Sequence, residues 1–268
     1  MLRLRGLEMK KLVLALAAVA AFSGSALAAD LPAAPAYTKA PVMVQPAWSW
    51  TGFYIFGGVG GGVWDADNNS LITATGTPVT VNQRQGGDGW FGTVGAGYDW
   101  QFNQSWVAGI FADGQFGSLK GSIGDGLFTG TEKLRDSWAA GARLGYLVAP
   151  MVYSYVNAGY TQSYWSASQL AFIGGGAPAL ATPSFNRGGF FIGGGVENNL
   201  NIFGITAPGW FMKTEYRAAY YNSATLAESV IATGLPDGFS DRFKPLVQTI
   251  STSLVYRFNW GGPVVAKY

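Results

Sequence analysis

Eight stretches of this chain alternate apolar residues with small or polar ones: 51–63, 90–102, 106–119, 137–148, 152–164, 189–200, 210–221 and 246–260. A period of two places successive side chains on opposite faces of a strand. In 106–119 the even positions Trp106, Ala108, Ile110, Ala112 and Phe116 make an apolar face, with Asp113 and Gln115 opposite. In 137–148 the apolar face is Trp138, Ala140, Ala142, Leu144, Tyr146 and Val148, against Ser137, Gly141 and Arg143. In 210–220 it is Trp210, Met212, Tyr216, Ala218 and Tyr220, against Lys213, Glu215 and Arg217. The last stretch turns Leu246, Ile250, Leu254, Tyr256, Phe258 and Trp260 one way. The first has less contrast, because Phe53 to Phe56 are all apolar and Gly57 to Gly62 follow. Each stretch supplies the ~9–11 residues that a tilted strand needs to cross a bilayer. The pattern predicts an all-β fold, an eight-stranded antiparallel transmembrane β-barrel with lipid outside and a polar lumen.

The chain ahead of these strands divides in two. Met9-Lys10-Lys11 opens a basic region, Leu12 to Phe22 is an apolar run, and Ala26-Leu27-Ala28 supplies a cleavage site. This reads as an export signal over residues 1–28, with Met9 as a possible true start. Residues 29–49 carry Pro32, Pro35, Pro41 and Pro46 among alanines, a composition suited to an extended periplasmic linker. The barrel is expected over 50–260 and a short tail over 261–268. With the N-terminus in the periplasm, short turns follow strands two, four and six: Asn103-Gln104-Ser105, Ala149-Pro150, and a longer connection from Asn201 to Gly209. Long surface loops are then expected at 65–88, 121–134, 166–187 and 222–244.

Composition narrows the function. Removing Arg3, Arg5, Lys10, Lys11 and Glu8 from 17 basic and 15 acidic residues leaves 13 and 14. A net charge of −1 gives no electrostatic footprint for nucleic acid. There is no cysteine, so an exported chain must hold together without disulfides. Charged residues are only 12% and aromatics 15%, whereas a soluble domain averages about 25% charged. Histidine is absent, which removes the usual base of catalytic triads and the commonest zinc ligand. The Gly57 to Gly62 run lacks a following Gly-Lys-Ser/Thr and so is no phosphate loop. The chain reads as a non-enzyme without cofactor, catalytic site or metal site.

The inward-facing charges are the sharpest constellation. Asp99, Asp113, Glu197 and Glu215 match Arg143, Lys213, Arg217 and Arg257, four against four. All lie near the periplasmic ends of their strands, in a lumen that eight strands leave just wide enough for side chains. They are expected to interlock as a salt-bridge network, because an unpaired charge there costs several kcal/mol. Such a network is either a structural polar core or the lining of an ion path. Aromatics gather at the strand ends, Trp48, Trp50, Trp100, Phe102, Trp106, Tyr146, Phe258 and Trp260 on one side and Trp64, Trp90 and Trp138 on the other. They read as interfacial girdles.

The chain resembles a known family through an ordered set of short segments. These are Ala29-Asp30-Leu31-Pro32, Trp50-Thr51-Gly52-Phe53-Tyr54-Ile55, Ala142-Arg143-Leu144-Gly145-Tyr146, Gly193-Gly194-Gly195-Val196-Glu197, Lys213-Thr214-Glu215-Tyr216 and Tyr256-Arg257-Phe258-Asn259-Trp260. The family is that of the small outer-membrane immunogenic porin-like proteins of proteobacteria, related in fold to the OmpA transmembrane domain. The resemblance implies a surface-exposed barrel of the Gram-negative outer membrane that supports envelope integrity, or alternatively a small porin passing small solutes. It implies that Tyr256, Phe258 and Trp260 resemble the signal read by the barrel-assembly machinery, and that Ala29-Asp30, exposed by cleavage, is a possible attachment point to peptidoglycan. The partners implied are outer-membrane lipid and lipopolysaccharide, the assembly machinery and peptidoglycan, with no nucleic acid.

Overall fold

The computed structural model describes residues 48–258 apart from 203–204. The stretches expected as export signal, nearly all of the expected linker with Ala29 and Asp30, and Trp260 with the expected tail lie outside the described residues. Eleven strands form one antiparallel sheet: β1 Gly52–Ile72, β2 Gln83–Gln101, β3 Trp106–Gly124, β4 Phe128–Ala149, β5 Val152–Trp165, β6 Ser168–Phe172, β7 Leu180–Thr182, β8 Phe185–Ile202, β9 Ile205–Tyr221, β10 Ala224–Val230 and β11 Pro236–Arg257. β1, β2, β3, β4, β5, β8, β9 and β11 pair in that order, and β11 pairs back on β1 from Tyr54↔Arg257 to Ile72↔Phe239. The sheet therefore closes, and no edge strand is left with unpaired backbone groups along the wall.

The strands run well past the alternating stretches. Stretches 65–88, 121–134, 166–187 and 222–244, expected as loops, are largely strand. β1 and β2 continue in register to Asn68↔Gln83, and β3 and β4 to Gly124↔Thr129. β5, β8 and β9 stop earlier, at Trp165, Phe185 and Tyr221, and three short strands take over their places in the wall. β6 pairs with β4, β7 with β6, and β10 with both β7 and β11. The loop end is thus a second closed tier in the order β1, β2, β3, β4, β6, β7, β10, β11. The Gly, Asn and Ser content that suggested loops concealed a period of two that persists, for example Ala224, Leu226 and Glu228 buried with Thr225 and Ala227 exposed. At the opposite end the connection expected over 201–209 is tighter, since β8 and β9 pair as far as Ile202↔Ile205.

The outer face carries an apolar band. On β1 it runs over Phe53, Ile55, Val59 and Val63, all half exposed or more. Trp90, Phe116, Trp138, Tyr160, Phe190 and Tyr220 mark its loop-end rim. Charge begins just beyond, with Asp88, Lys120, Arg135 and Lys244 exposed. From Phe53 to Val63 is the span expected of a bilayer-crossing strand. Aromatic pairs such as Trp138–Tyr160 and Phe190–Tyr220 sit side by side on this rim. Amphipathic rings favour that level.

Three tryptophans read as girdle residues lie elsewhere. Trp48 is only partly exposed and packs on Phe211, whereas Trp50 is 1% exposed and packs between Tyr153 and Phe211. Trp50 donates from its indole to the Pro150 carbonyl and accepts from Arg257 at its own carbonyl, so the segment before β1 folds across the turn-end mouth. Trp64 is also buried, inside the tier above, against Trp165 and Phe243. Composition marks a tryptophan as interfacial but does not fix its side of the wall, and Trp64 has the inward parity of Tyr54 and Phe56.

Candidate functional site: the charged lumen

All eight inward charges are buried, and the structure sorts them into two groups. The lower group takes one residue from every other strand of the ring: Asp99 of β2, Arg143 of β4, Glu197 of β8 and Arg257 of β11. Arg143 grips Asp99 with two parallel bonds, from Nε to Oδ1 at 2.9 Å and from Nη2 to Oδ2 at 2.6 Å. Its remaining nitrogen donates to Glu197 at 3.2 Å. Arg257 donates from Nε to the other oxygen of Glu197 at 2.6 Å and lies 2.8 Å from Asp99 Oδ2. Two acids and two bases therefore close a neutral ring. Barrel interiors fill in layers drawn from alternate strands, and this ring is one such layer.

The upper group uses the intervening strands. Arg217 of β9 forks onto Asp113 of β3 at 3.0 and 2.7 Å and reaches Glu215 at 2.8 Å. Lys213 lies 3.8 Å from Glu215 and 3.3 Å from the centre of the Phe56 ring. This group is also neutral. Lys213, Glu215 and Arg217 share one face of β9 because they are two residues apart, so a single strand supplies both signs. Arg217 bridges the barrel because only a planar fork can hold both oxygens of Asp113 at once.

Aromatic side chains join the layers. Arg143 lies 4.2 Å from the centre of Tyr54 and 5.0 Å from that of Tyr155, and the Tyr155 hydroxyl donates to Glu215 at 2.8 Å. Arg257 stacks over Trp50 at 4.4 Å, and Arg217 over Phe191 at 4.5 Å. Desolvated cations on ring faces gain an attraction that water would weaken. Glycine makes room for this filling: a Cβ on Gly109 would strike the Asp99 carboxylate, and one on Gly97 the Tyr54 hydroxyl. Tyr54, Tyr155 and Trp50 were not singled out as lumen residues from sequence, although Tyr153 and Tyr155 alternate with the outward Val156, Ala158 and Tyr160. Arg143 pairs with Asp99 and Glu197, while Asp113 and Glu215 go to Arg217.

At the wall's end, Tyr256 and Phe258 lie edge to face at 4.9 Å, and the Phe258 backbone N–H bonds the Phe53 carbonyl, so the final aromatics sit at the seam with β1. Among the described residues no three or more Asp or Glu side chains are grouped to hold a metal ion. In this zone Asp99, Asp113, Glu197 and Glu215 are each engaged in ion pairs with protein groups.

No family model matches the chain. It is 33% identical over 219 residues to the 31 kDa outer-membrane immunogenic protein of Brucella melitensis, covering 78% of this chain and 85% of that protein. The protein of the same name from Brucella suis matches to the same extent. The crystal structure of the outer membrane protein OprG from Pseudomonas aeruginosa superposes with a TM-score of 0.52 at 10% identity, covering 78% of this chain and 97% of OprG. That likeness concerns the fold alone. The closed wall, the apolar band outside it and the extent of the sequence match together place this chain in the outer membrane, as a member of the family of 31 kDa outer-membrane immunogenic proteins.

Proposed function

We propose that the protein is a plugged surface barrel that supports the integrity of the outer membrane. The observation that carries this reading is the pair of neutral, interlocked layers across the lumen. Each guanidinium is held by two carboxylates, at least one of them on another strand, and backed by aromatic rings, so an ion would have to break buried pairs to pass. Breaking such pairs costs several kcal/mol per charge exposed. The same pairs tie β2 and β8 each to β4 and β11, and β3 to β9, across the lumen, in addition to the wall's own hydrogen bonds. The chain has no histidine, and Asp99, Asp113, Glu197 and Glu215 in the lumen are all ion-paired, which supports a non-enzymatic role. The test is conductance of refolded protein in a planar bilayer. Steady ohmic steps from the wild type would overturn the plug and assign the small porin. A quiet membrane with heat-modifiable, folded protein is the expected result.

Residues 29–49 would provide the link to the cell wall in this reading. At ~3.1 Å per residue, an extended linker of roughly 20 residues reaches about 60 Å, and its Ala29 amine is the group available for peptidoglycan attachment. Mass spectrometry of muramidase-released protein should show a muropeptide on the N-terminal peptide. A free amine in every fraction would remove the anchor while leaving the plugged barrel standing.

A further inference from the structure

The tier at the loop end has its own buried acids, and their surroundings differ from those of the lumen below. Glu228 of β10 and Asp241 of β11 point into the tier and are 4% and 0% exposed. β10 pairs with β11 from Ala224↔Phe243 to Ala227↔Ser240, and the ladder is interrupted between Ala227 and Ser229, at Glu228 itself. Neither oxygen of Asp241 nor Oε1 of Glu228 receives a bond from any N–H or hydroxyl of the protein. Leu226 lies opposite Asp241 in the β10–β11 ladder, so Glu228, two residues on, shares the inward face of the tier diagonally from Asp241. Two buried carboxyl groups on one face, without a counter-charge, favour the state in which a proton is held.

The groups around the pair do not offset its charge. Asp125 faces it from the β3–β4 turn and Asp237 from the start of β11. Asp125 Oδ1 is already occupied by the backbone N–H groups of Leu127 and Phe128, and Asp237 Oδ1 by that of Phe239. β1 contributes the neutral Asn68 and Ser70, β6 Ser168 and β7 Thr182, all buried, and β4 contributes Glu132, which is engaged with Ser168. The basic residues flanking Asp241 on β11, Arg242 and Lys244, are turned outward and exposed.

We propose that the Glu228–Asp241 carboxyl pair is a proton-operated latch, which holds the extracellular tier of the wall closed in acid and releases β10 as the pair ionises. β10 is the element set to move. It is held to β7 by a two-pair ladder, Ser229↔Ala181 and Val230↔Leu180, continued by the Ile231 N–H to the Ala179 carbonyl, and to β11 by a ladder broken at the latch residue. Burial, then the neighbouring carboxylates Asp241, Asp237 and Asp125, push Glu228 up to about 8. Burial and Asp125 push Asp241 up to about 7. The folded tier holds these protons more tightly than the unfolded segment would. Its stability is therefore full below the ordinary carboxylate range and falls as pH rises towards about 8. The latch operates above the ion-paired lumen, so it works whether or not the barrel conducts.

The experiment is hydrogen exchange of the full mature protein in phosphatidylcholine nanodiscs, from pH 5.5 to 9 with EDTA present and corrected for intrinsic rates. Peptides covering 224–230 and 236–243 report the tier, and 246–257 reports the spanning wall. Protection of 224–230 relative to 246–257 should fall by about tenfold or more over this range, in line with a perturbation of at least one pKa unit. In Glu228→Gln and Asp241→Asn the fall should shrink to less than about threefold, because an amide does not ionise. Heat modifiability on a detergent gel verifies that each variant has folded. Protection that is flat with pH in the wild type overturns the latch whatever the variants do. An undiminished fall in both folded variants overturns it too.

Discussion

Two zones of the same interior handle buried charge in opposite ways. In the spanning zone, Asp99, Asp113 and Glu197 meet arginine from other strands, Glu215 meets Lys213 and Arg217 of its own strand, and each group of four is neutral. In the loop-end tier, Asp125, Glu132, Glu228 and Asp241 are buried and form no ion pair with a basic side chain among the described residues. The first zone lies inside the apolar band, where the wall borders lipid and water cannot compensate an unpaired charge. The second stands beyond the band, where the tier can open to water. Position relative to the membrane thus decides which buried acids need a counter-charge. The price of the tier's arrangement is a dependence on pH that the lower zone avoids.

The sharpest way to break this contrast is to strip a counter-charge from the lower zone. Arg143→Ala leaves Asp99 with Arg257 alone and removes a donor from Glu197. It also empties the space against Tyr54 and Tyr155. It should destabilise the barrel by on the order of 3–5 kcal/mol, the cost of orphaning a buried ion-pair partner. The exposed Asp67→Ala should change stability by no more than about 0.5 kcal/mol. Urea midpoints in the same lipid check both, and equal midpoints would show that the lower pairs contribute little to holding the wall.

The difference between the zones also explains what the sequence disclosed. The eight spanning strands and all eight lumen charges were legible because lipid enforces strict alternation: an apolar side chain at every second position makes any charge opposite conspicuous. Lys213, Glu215 and Arg217, set against Trp210, Met212 and Tyr216, show this on a single strand. The partner of each charge was not legible, since pairing Arg143 with Asp99 depends on shear around the ring, and shear leaves no mark within any one strand. The upper tier was hidden for a related reason. Its outer face meets water, so Thr225, Ala227, Arg242 and Lys244 alternate with buried Leu226, Glu228, Asp241 and Phe243 without a strong apolar contrast. Short strands such as Leu180–Thr182 are too brief for any period to register. Trp50 was misplaced because the segment before β1 is not a strand, and parity does not apply to it.

A milder change sharpens the comparison within the tier. Glu132 of β4 is fully buried, accepts a 2.7 Å bond from the Ser168 hydroxyl and a 3.0 Å bond from the Lys133 backbone N–H, and has no ion-pair partner among the described contacts. Burial outweighs these two bonds and pushes its carboxyl up to about 7. The unfolded segment releases the proton in the ordinary carboxylate range, so the contact between β4 and β6 weakens as pH rises from there to about 7 and is unaffected in stronger acid. Glu132→Gln keeps a carbonyl oxygen for the Lys133 N–H, turns an amide donor towards the Ser168 oxygen and removes the ionisation. At pH 8 it should stabilise the β4–β6 seam by about 1–3 kcal/mol, and at pH 4 by close to nothing. Exchange protection of peptides 128–133 and 168–172 reads that seam directly, with 138–148 of the same strand as the spanning control. If the variant loses protection with pH as the wild type does, the acid at Glu132 is not what makes this edge of the tier sensitive. The contrast between the two zones would then rest on Glu228 and Asp241 alone.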